Sequence, residues 1–594
     1  MIDFRVEEEF MLNGEPFKIL SGAIHYFRVP KEDWAHSLYN LKALGFNTVE
    51  TYVPWNLHEF NPGEFNFEGN LDIRSFIKEA EDLGLYVIVR PTPYICAEWE
   101  YGGLPGWLLN EPVRPRSSDP QFIKLVDRFY DALFKEIVDQ QFTHGGPILM
   151  MQIENEYGSY GEDKEYLRSI YQIMKDHGTD VPLFTSDGAW LATLRAGTLT
   201  DVGEDILVTG NFGSKSDKNF SELKKFHQSL GKKWPLMVME FWCGWFNRWG
   251  EPIVTRETDE LVDSLREAIQ LGSVNLYMFH GGTNFGFMNG CSARGSHDLH
   301  QITSYDYGAP LDEQGNPTEK YYAIQKMVKE ELPGVEQLTP KVKKSMAKES
   351  IQIRDKVSLF EVLEDVANVE ESLYPKSMDE LNHHYGYILY RSNFLKDTDE
   401  EERIRVIDGR DRAQVYVNEK HVKTQYQEEI GEDIHVGDLL DSNQIDVLME
   451  NMGRVNYGHK LLADTQKKGI RQGVMTDLHF ITEWQHFLID FDKVDNINYS
   501  KKWLEGLPGF YKFNLELDDL EDTYIDLSNF GKGIVLVNGV NLGRFWNVGP
   551  ILSLYLPKAF LKEGQNQIII FETEGISADT LTLTKDHVYK PIEE

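Results

Sequence analysis

Two short segments of this chain hold the residues that could do chemistry. In Gln152-Ile153-Glu154-Asn155-Glu156-Tyr157-Gly158, amides and carboxylates crowd the end of the apolar run Pro147-Ile148-Leu149-Met150-Met151. Glu240 stands in the same setting, after Pro235-Leu236-Met237-Val238-Met239 and before Phe241-Trp242-Cys243-Gly244-Trp245. Each segment reads as a buried strand ending in a carboxylate. Two carboxyls about 5–5.5 Å apart are what hydrolysis of a glycosidic bond with retention requires, one to protonate the leaving oxygen and one to attack the anomeric carbon. Glu240 is the candidate nucleophile and Glu156 the candidate acid/base, kept protonated near neutrality by partial burial and by the charge of Glu240. Spacing alone leaves Glu154 open as the acid. Its other reading is a structural carboxylate paired with an arginine such as Arg90, because in an extended segment it faces away from Asn155. Asn155 can hydrogen-bond the sugar 2-hydroxyl.

Aromatic rings supply a platform for the apolar C–H face of a sugar. Trp242 and Trp245 follow Glu240, and Trp99 and Trp107 follow the Leu85–Pro91 run. Trp242, two residues from the nucleophile, is assigned to the site; Trp107 and Trp249 are assigned to core packing. Cys96 is expected to line the site without acting as a nucleophile, since no base or oxyanion signature adjoins it. His297-Asp298-Leu299-His300 lacks a third ligand, so no metal is expected, and no cofactor is called for. His25, His58 and His280 fall near strand ends, where substrate contact and structural roles are both open.

These residues need a scaffold that brings distant strand ends together. Eight apolar runs supply one: Phe17–Ile24, Phe46–Tyr52, Leu85–Pro91, Pro147–Ile153, Val181–Thr185, Ile206–Phe212, Pro235–Glu240 and Ser273–Phe279. They are continuous rather than alternating, as strands buried on both faces should be. Amphipathic helical patterns lie between them, among them Trp34, Leu38, Leu41 and Leu44 before Gly45, and another opened by Asp119-Pro120. The expected fold is a (β/α)8 TIM barrel over residues 1–330, with the chemistry at the C-terminal ends of its strands. Two all-β sandwich domains are expected at 385–480 and 481–594, and residues 331–384 read as a linker and strands joining the β-domains, with 345–384 adding strands to one of them. A weak repeat relates the two β-domains: Val415-Tyr416-Val417-Asn418 precedes Asn443-Gln444-Ile445, as Val535-Leu536-Val537-Asn538 precedes Asn566-Gln567-Ile568.

At 594 residues the chain exceeds the roughly 250–300 that one core sustains. Its formal net charge of -36 at pH 7 argues against nucleic-acid and anionic-membrane partners. No apolar stretch approaches the ~20 residues of a membrane span. The start, Met1-Ile2-Asp3-Phe4-Arg5, lacks the basic and apolar regions of a signal peptide, which points to the cytoplasm. Cys96, Cys243 and Cys291 are too few and too scattered for a disulfide framework.

Thr51-Tyr52-Val53-Pro54-Trp55-Asn56-Leu57-His58-Glu59, Arg90-Pro91-Thr92-Pro93-Tyr94-Ile95-Cys96-Ala97-Glu98-Trp99, Gln152–Gly158, the Tyr277–Gly286 stretch and Thr303-Ser304-Tyr305-Asp306-Tyr307 together resemble a β-galactosidase of glycoside hydrolase family 35. The C-terminal Val537-Asn538-Gly539 and Gly543-Arg544-Phe545-Trp546 are similar to that family's jelly-roll, galactose-binding-like domain. The resemblance implies an exo-acting, retaining enzyme that removes terminal β-linked galactose from oligosaccharides or glycan termini. It places the acid/base at Glu156 and the nucleophile at Glu240. Galactose contacts are implied at Tyr52, Cys96, Ala97, Glu98, Asn155, Tyr277 and Tyr307. Some members carry tyrosine where this chain has Trp242. Trp242 and Trp245, with Tyr457 from the first β-domain, resemble bacterial members that prefer galactose β-1,3-linked to N-acetylglucosamine and grip the second sugar with three aromatics. A homodimer is carried over from the family alone. The rival readings are another retaining exo-glycosidase, a β-glucosidase or exo-β-glucosaminidase, and a non-catalytic carbohydrate-binding protein, which would have no use for the Glu156/Glu240 pair.

Overall fold

The computed structural model describes residues 2–396, 401–477 and 479–593. Eight parallel strands close into a barrel: β1 (Leu20–Ile24), β2 (Thr48–Tyr52), β3 (Tyr86–Arg90), β4 (Ile148–Gln152), β5 (Leu183–Gly188), β6 (Leu207–Asn211), β7 (Met237–Trp242) and β8 (Ser273–His280). They succeed one another around the barrel, and β8 closes between β7 and β1. Every residue of β1, β2, β4, β5, β6 and β8 is buried, which is why these runs are largely apolar, with polar residues such as Glu50, Asp187 and Asn211 buried among them. Local chemistry sets the helix limits. Helix α1 (Trp34–Leu44) stops at Gly45, whose φ of 99° lets its N–H turn back to the carbonyls of Leu41 and Lys42. Helix α2 (Pro120–Ile137) starts where the Asp119 carboxylate accepts the Gln121 N–H and Pro120 needs no partner for its nitrogen.

Among the described residues, the rest of the chain forms two β-domains. In the first, a six-stranded sheet runs Ala367–Ser372, Trp484–Ile489, Tyr387–Leu395, Ser442–Glu450, Arg412–Val417 and Lys420–Tyr426, and it shares a core with the three-stranded sheet of Ile434–Val436, Glu402–Arg410 and Gly469–Met475. The second is one eight-stranded sheet folded around its own core. The Lys348–Ser358 strand joins its two halves, pairing with both Gly509–Leu517 and Thr580–Thr584. The joining segment therefore feeds both domains. The expected division at 480/481 falls one strand too early, because Trp484–Ile489 pairs with Tyr387–Leu395 in the first sheet.

The internal repeat is structural. Asn418 and Asn538 both take a left-handed conformation, each at φ 49°. The Asn418 amide donates to Asn443 (2.9 Å) and its oxygen accepts the Gln444 N–H (3.0 Å). Asn538 does the same with Asn566 (2.8 Å) and Gln567 (3.0 Å). A third core lies between the β-domains, where the Tyr387 and Phe571 rings meet at 5.1 Å. No helix among the described residues is long and apolar enough to cross a membrane.

Candidate active site

The mouth of the barrel holds a cavity of about 400 Å3. Cys96, Ala97, Glu98, Asn155, Glu156, Glu240, Trp242, Trp245, Tyr277, Tyr307 and Tyr457 all line it. Tyr52 is buried just beneath and enters through its hydroxyl. The two candidate carboxylates and the expected sugar contacts thus lie together in one place.

Glu240 sits within β7 and is held from two sides. The Tyr52 hydroxyl donates to its Oε1 at 2.6 Å, and Arg90 Nη2 donates to the same oxygen at 2.9 Å. The Trp242 indole N–H lies 3.2 Å from the other oxygen, Oε2. Arg90, fully buried at the end of β3, also faces Glu50 of β2 at 3.7 Å. Burial pushes the Glu50 carboxyl up to about 7, against the pull of Arg90. A cationic arginine and a phenol thus converge on one carboxylate oxygen of Glu240.

Glu156 meets the opposite environment. It follows β4 in a left-handed conformation at φ 47°. Its Oε1 accepts one hydrogen bond from the Asn211 amide at 3.0 Å. Burial, and then the negative charge of Glu240, push its carboxyl up to about 8. Asn155 lies between the two. Its Oδ1 accepts from Arg90 (2.8 Å) and Gln152 (3.1 Å), and its Nδ2 donates to the Ile95 carbonyl at 3.2 Å. An amide nitrogen carries two hydrogens, so one remains for a ligand.

Glu154 is settled by its partners. Arg116 forks onto both of its oxygens at 2.9 Å, and Tyr166 donates to Oε1 at 2.8 Å. It is a structural carboxylate, and its arginine is Arg116 rather than Arg90.

The Cys96-Ala97-Glu98 wall is three consecutive left-handed residues, at φ 59°, 52° and 48°. Such backbone costs about 1–3 kcal/mol per residue and persists only where its surroundings impose it. Here the Arg28 guanidinium donates to the Ala97 carbonyl, and the Gly290 N–H donates to the Glu98 carbonyl at 2.9 Å. Burial pushes the Glu98 carboxyl up to about 7, with the Tyr305 hydroxyl bonded to it. Burial pushes the Cys96 thiol up as well, which makes it lining.

Trp242 and Trp245 meet edge to face at 5.5 Å. Tyr457 reaches the mouth from the first β-domain and is 48% exposed, leaving its ring open to a ligand. Trp99 and Trp107 belong to the core: Trp99 donates to Asn56 at 3.0 Å and Trp107 packs edge to face on Trp55. Trp249 packs near Trp546. His25, His58 and His280 are buried and do not line the cavity; they bond Arg28, Tyr26 and Ser37, and His25 packs beneath the site against the rings of Tyr52 and Tyr277. No group of three or more His, Cys, Asp or Glu among the described residues is placed to hold a metal ion.

Several contributors escaped sequence reasoning. Asn211 sits at the last position of β6, and its place at a strand end was the available signal. Asn456, beside Tyr457, bonds the Cys96 sulfur (3.4 Å) and accepts the Cys291 N–H (3.0 Å). Asp187 of β5 accepts the Gly158 N–H at 2.7 Å and anchors the loop that carries Glu156. Trp190 and Arg248 form the rim.

A profile of glycosyl hydrolases family 35 matches residues 9–331. Profiles of a β-galactosidase first all-beta domain and a β-galactosidase galactose-binding domain match residues 375–490 and 508–566. The chain is 39% identical over 557 residues to a beta-galactosidase of Xanthomonas manihotis, covering 92% of this chain and 90% of that one. It is 36% identical over 601 residues to beta-galactosidase-1-like protein 3 of Homo sapiens, covering 98% and 88%. It is 35% identical over 637 residues to beta-galactosidase 17 of Arabidopsis thaliana, again covering 98% and 88%.

Proposed function

Because the chain belongs to glycosyl hydrolases family 35 and is a β-galactosidase, we propose that it removes terminal non-reducing β-D-galactose by double displacement, with Glu240 as nucleophile and Glu156 as acid/base. The observation that carries this assignment is the split environment of the two carboxyls in one cavity. Glu240 accepts from a phenol and a guanidinium, while Glu156 is pushed up to about 8 by burial and by Glu240 itself. A site that separates two carboxyls in this way assigns one to attack and the other to proton donation. Glu156 protonates the leaving oxygen as Glu240 bonds C1. With the aglycone gone, ionised Glu156 takes a proton from water, which attacks C1 and frees Glu240. The remaining Asn155 N–H is aimed at the 2-hydroxyl, and Tyr52, Cys96, Ala97, Glu98, Tyr277 and Tyr307 enclose the galactose.

The preferred substrate is Galβ1-3GlcNAc, its second sugar held by Trp242, Trp245 and Tyr457. The crossed indoles and the exposed phenol at one mouth support this reading. The test is galactose release from Galβ1-3GlcNAc, Galβ1-4GlcNAc, lactose and p-nitrophenyl β-galactoside, with Glu240→Gln as the inactive control. Release confined to the first and last is expected. Equal release from all four would remove the linkage preference and leave the galactosidase. Trp242→Ala and Tyr457→Ala are each expected to cost the disaccharide about 10-fold more than the aryl galactoside.

A further inference from the structure

We infer that the chain has a binding site for a third sugar, built on Trp190, so that it acts on longer glycans better than on the disaccharide; this rests on the galactosidase reading above. A second groove of about 390 Å3 opens beside the catalytic cavity. Trp190, Trp242 and Trp245 line both spaces, so the indoles assigned to the second sugar form the wall between them. Both volumes fall within the ~300–1,000 Å3 of ligand clefts.

The groove lies on the leaving-group side. Asn211, which donates to the acid/base Glu156 at 3.0 Å, is also part of its lining. The departing oxygen is protonated by Glu156, so the chain of sugars beyond it extends past Asn211 toward the groove.

Trp190 is a built platform rather than a stray surface ring. It is 54% exposed and the adjoining Leu191 is 63% exposed, an apolar pair at the edge of a polar opening. Its benzo edge lies close against Gly188 at the end of β5, where a Cβ would collide with it. The Trp190 backbone N–H bonds the Gly188 carbonyl at 2.8 Å. The indole thus rests its edge on the end of β5 while much of the residue stays open. On the far side, Arg256 is held by Glu260 at 2.7 and 2.9 Å and donates to the Trp242 carbonyl. A Cβ on Gly213 would stand 3.0 Å from that same carbonyl, so the floor admits only glycine without a shift. Lys215 and Asn219 complete a polar rim suited to sugar hydroxyls. A hexose stacked on an open indole with polar groups at its edge is the ligand this geometry fits.

The test compares kcat/KM on Galβ1-3GlcNAc and on the tetrasaccharide Galβ1-3GlcNAcβ1-3Galβ1-4Glc. Wild type should favour the tetrasaccharide. Trp190→Ala should lower the ratio of the two values about 10-fold, through KM rather than kcat, and Trp190→Tyr should restore most of it. An unchanged ratio in Trp190→Ala, or equal losses on both substrates, would overturn the third site and leave the galactosidase intact. If wild type released galactose from neither substrate, the functional reading would fall, and this inference with it.

Discussion

At the scale of single residues, the central fact is that two carboxyls of one cavity meet different surroundings: Glu156 is pushed up by burial and by Glu240, while Glu240 accepts from a phenol and a guanidinium. Glu156 must be protonated to assist departure, and it is pushed up to about 8. The kcat/KM for Galβ1-3GlcNAc is therefore expected to hold below that value and fall as pH rises through it. Glu156→Gln should lose about 10²–10⁴-fold on the disaccharide. With a good aryl leaving group it should keep more first-step activity and lose the alkaline limb; a limb that persisted would assign it to another group. The same shift bears on folding. A carboxyl raised from 4.5 to about 8 supports the folded state fully only below the lower value, and that support is lost as pH rises toward the upper one. Glu156→Gln should thus raise Tm at pH 8 by about 1–2 °C. Both glutamates are legible in the sequence because each follows a continuous apolar run. Asn211 and Asn456 are not, because their importance comes only from what lies across the cavity.

At the scale of elements, the loop after β4 carries the proposed acid/base, Glu156, in a left-handed conformation, so its supports decide whether the candidate site forms. Arg116 lies between the rings of Tyr94 and Tyr160 while it forks onto Glu154. Arg116→Met would leave Glu154 buried and unpaired, at a cost of about 3–5 kcal/mol. Adding Glu154→Leu should recover part of that loss, as thermal unfolding of the single and double variants would show. The sequence makes the support for Glu154 predictable, but not its identity: Arg116 lies in an irregular stretch before α2, with no period to mark which way it points. The barrel strands are legible because burial on both faces leaves an unbroken apolar signature. The β-domains are less so. The Lys348–Ser358 strand pairs Ile353 with Phe513, a partner distant in the chain, and shifts register on the way. Nothing local in such a strand names its sheet.

At the scale of the whole molecule, the first β-domain contributes Asn456 and Tyr457 to the wall of the candidate cavity. Arg454 is fully buried and binds Glu100 of the barrel at 2.8 Å and Asp379 of its own domain at 2.7 Å. Two and three residues further along, Asn456 and Tyr457 enter the cavity. Arg454→Met is expected to destabilise the protein by about 3–5 kcal/mol, by leaving two buried carboxylates without their cation. It should also raise KM for the disaccharide more than for the aryl galactoside, because the loop it fixes presents Tyr457; an unaltered KM ratio would make the ion pair purely a matter of stability. The Arg454–Glu100 bond spans 354 residues of sequence. During synthesis at about 5–20 residues per second, the barrel therefore waits roughly 20–70 s for the arginine that neutralises its buried glutamate. A nascent chain therefore carries its barrel for some time before the wall that receives the second sugar is translated.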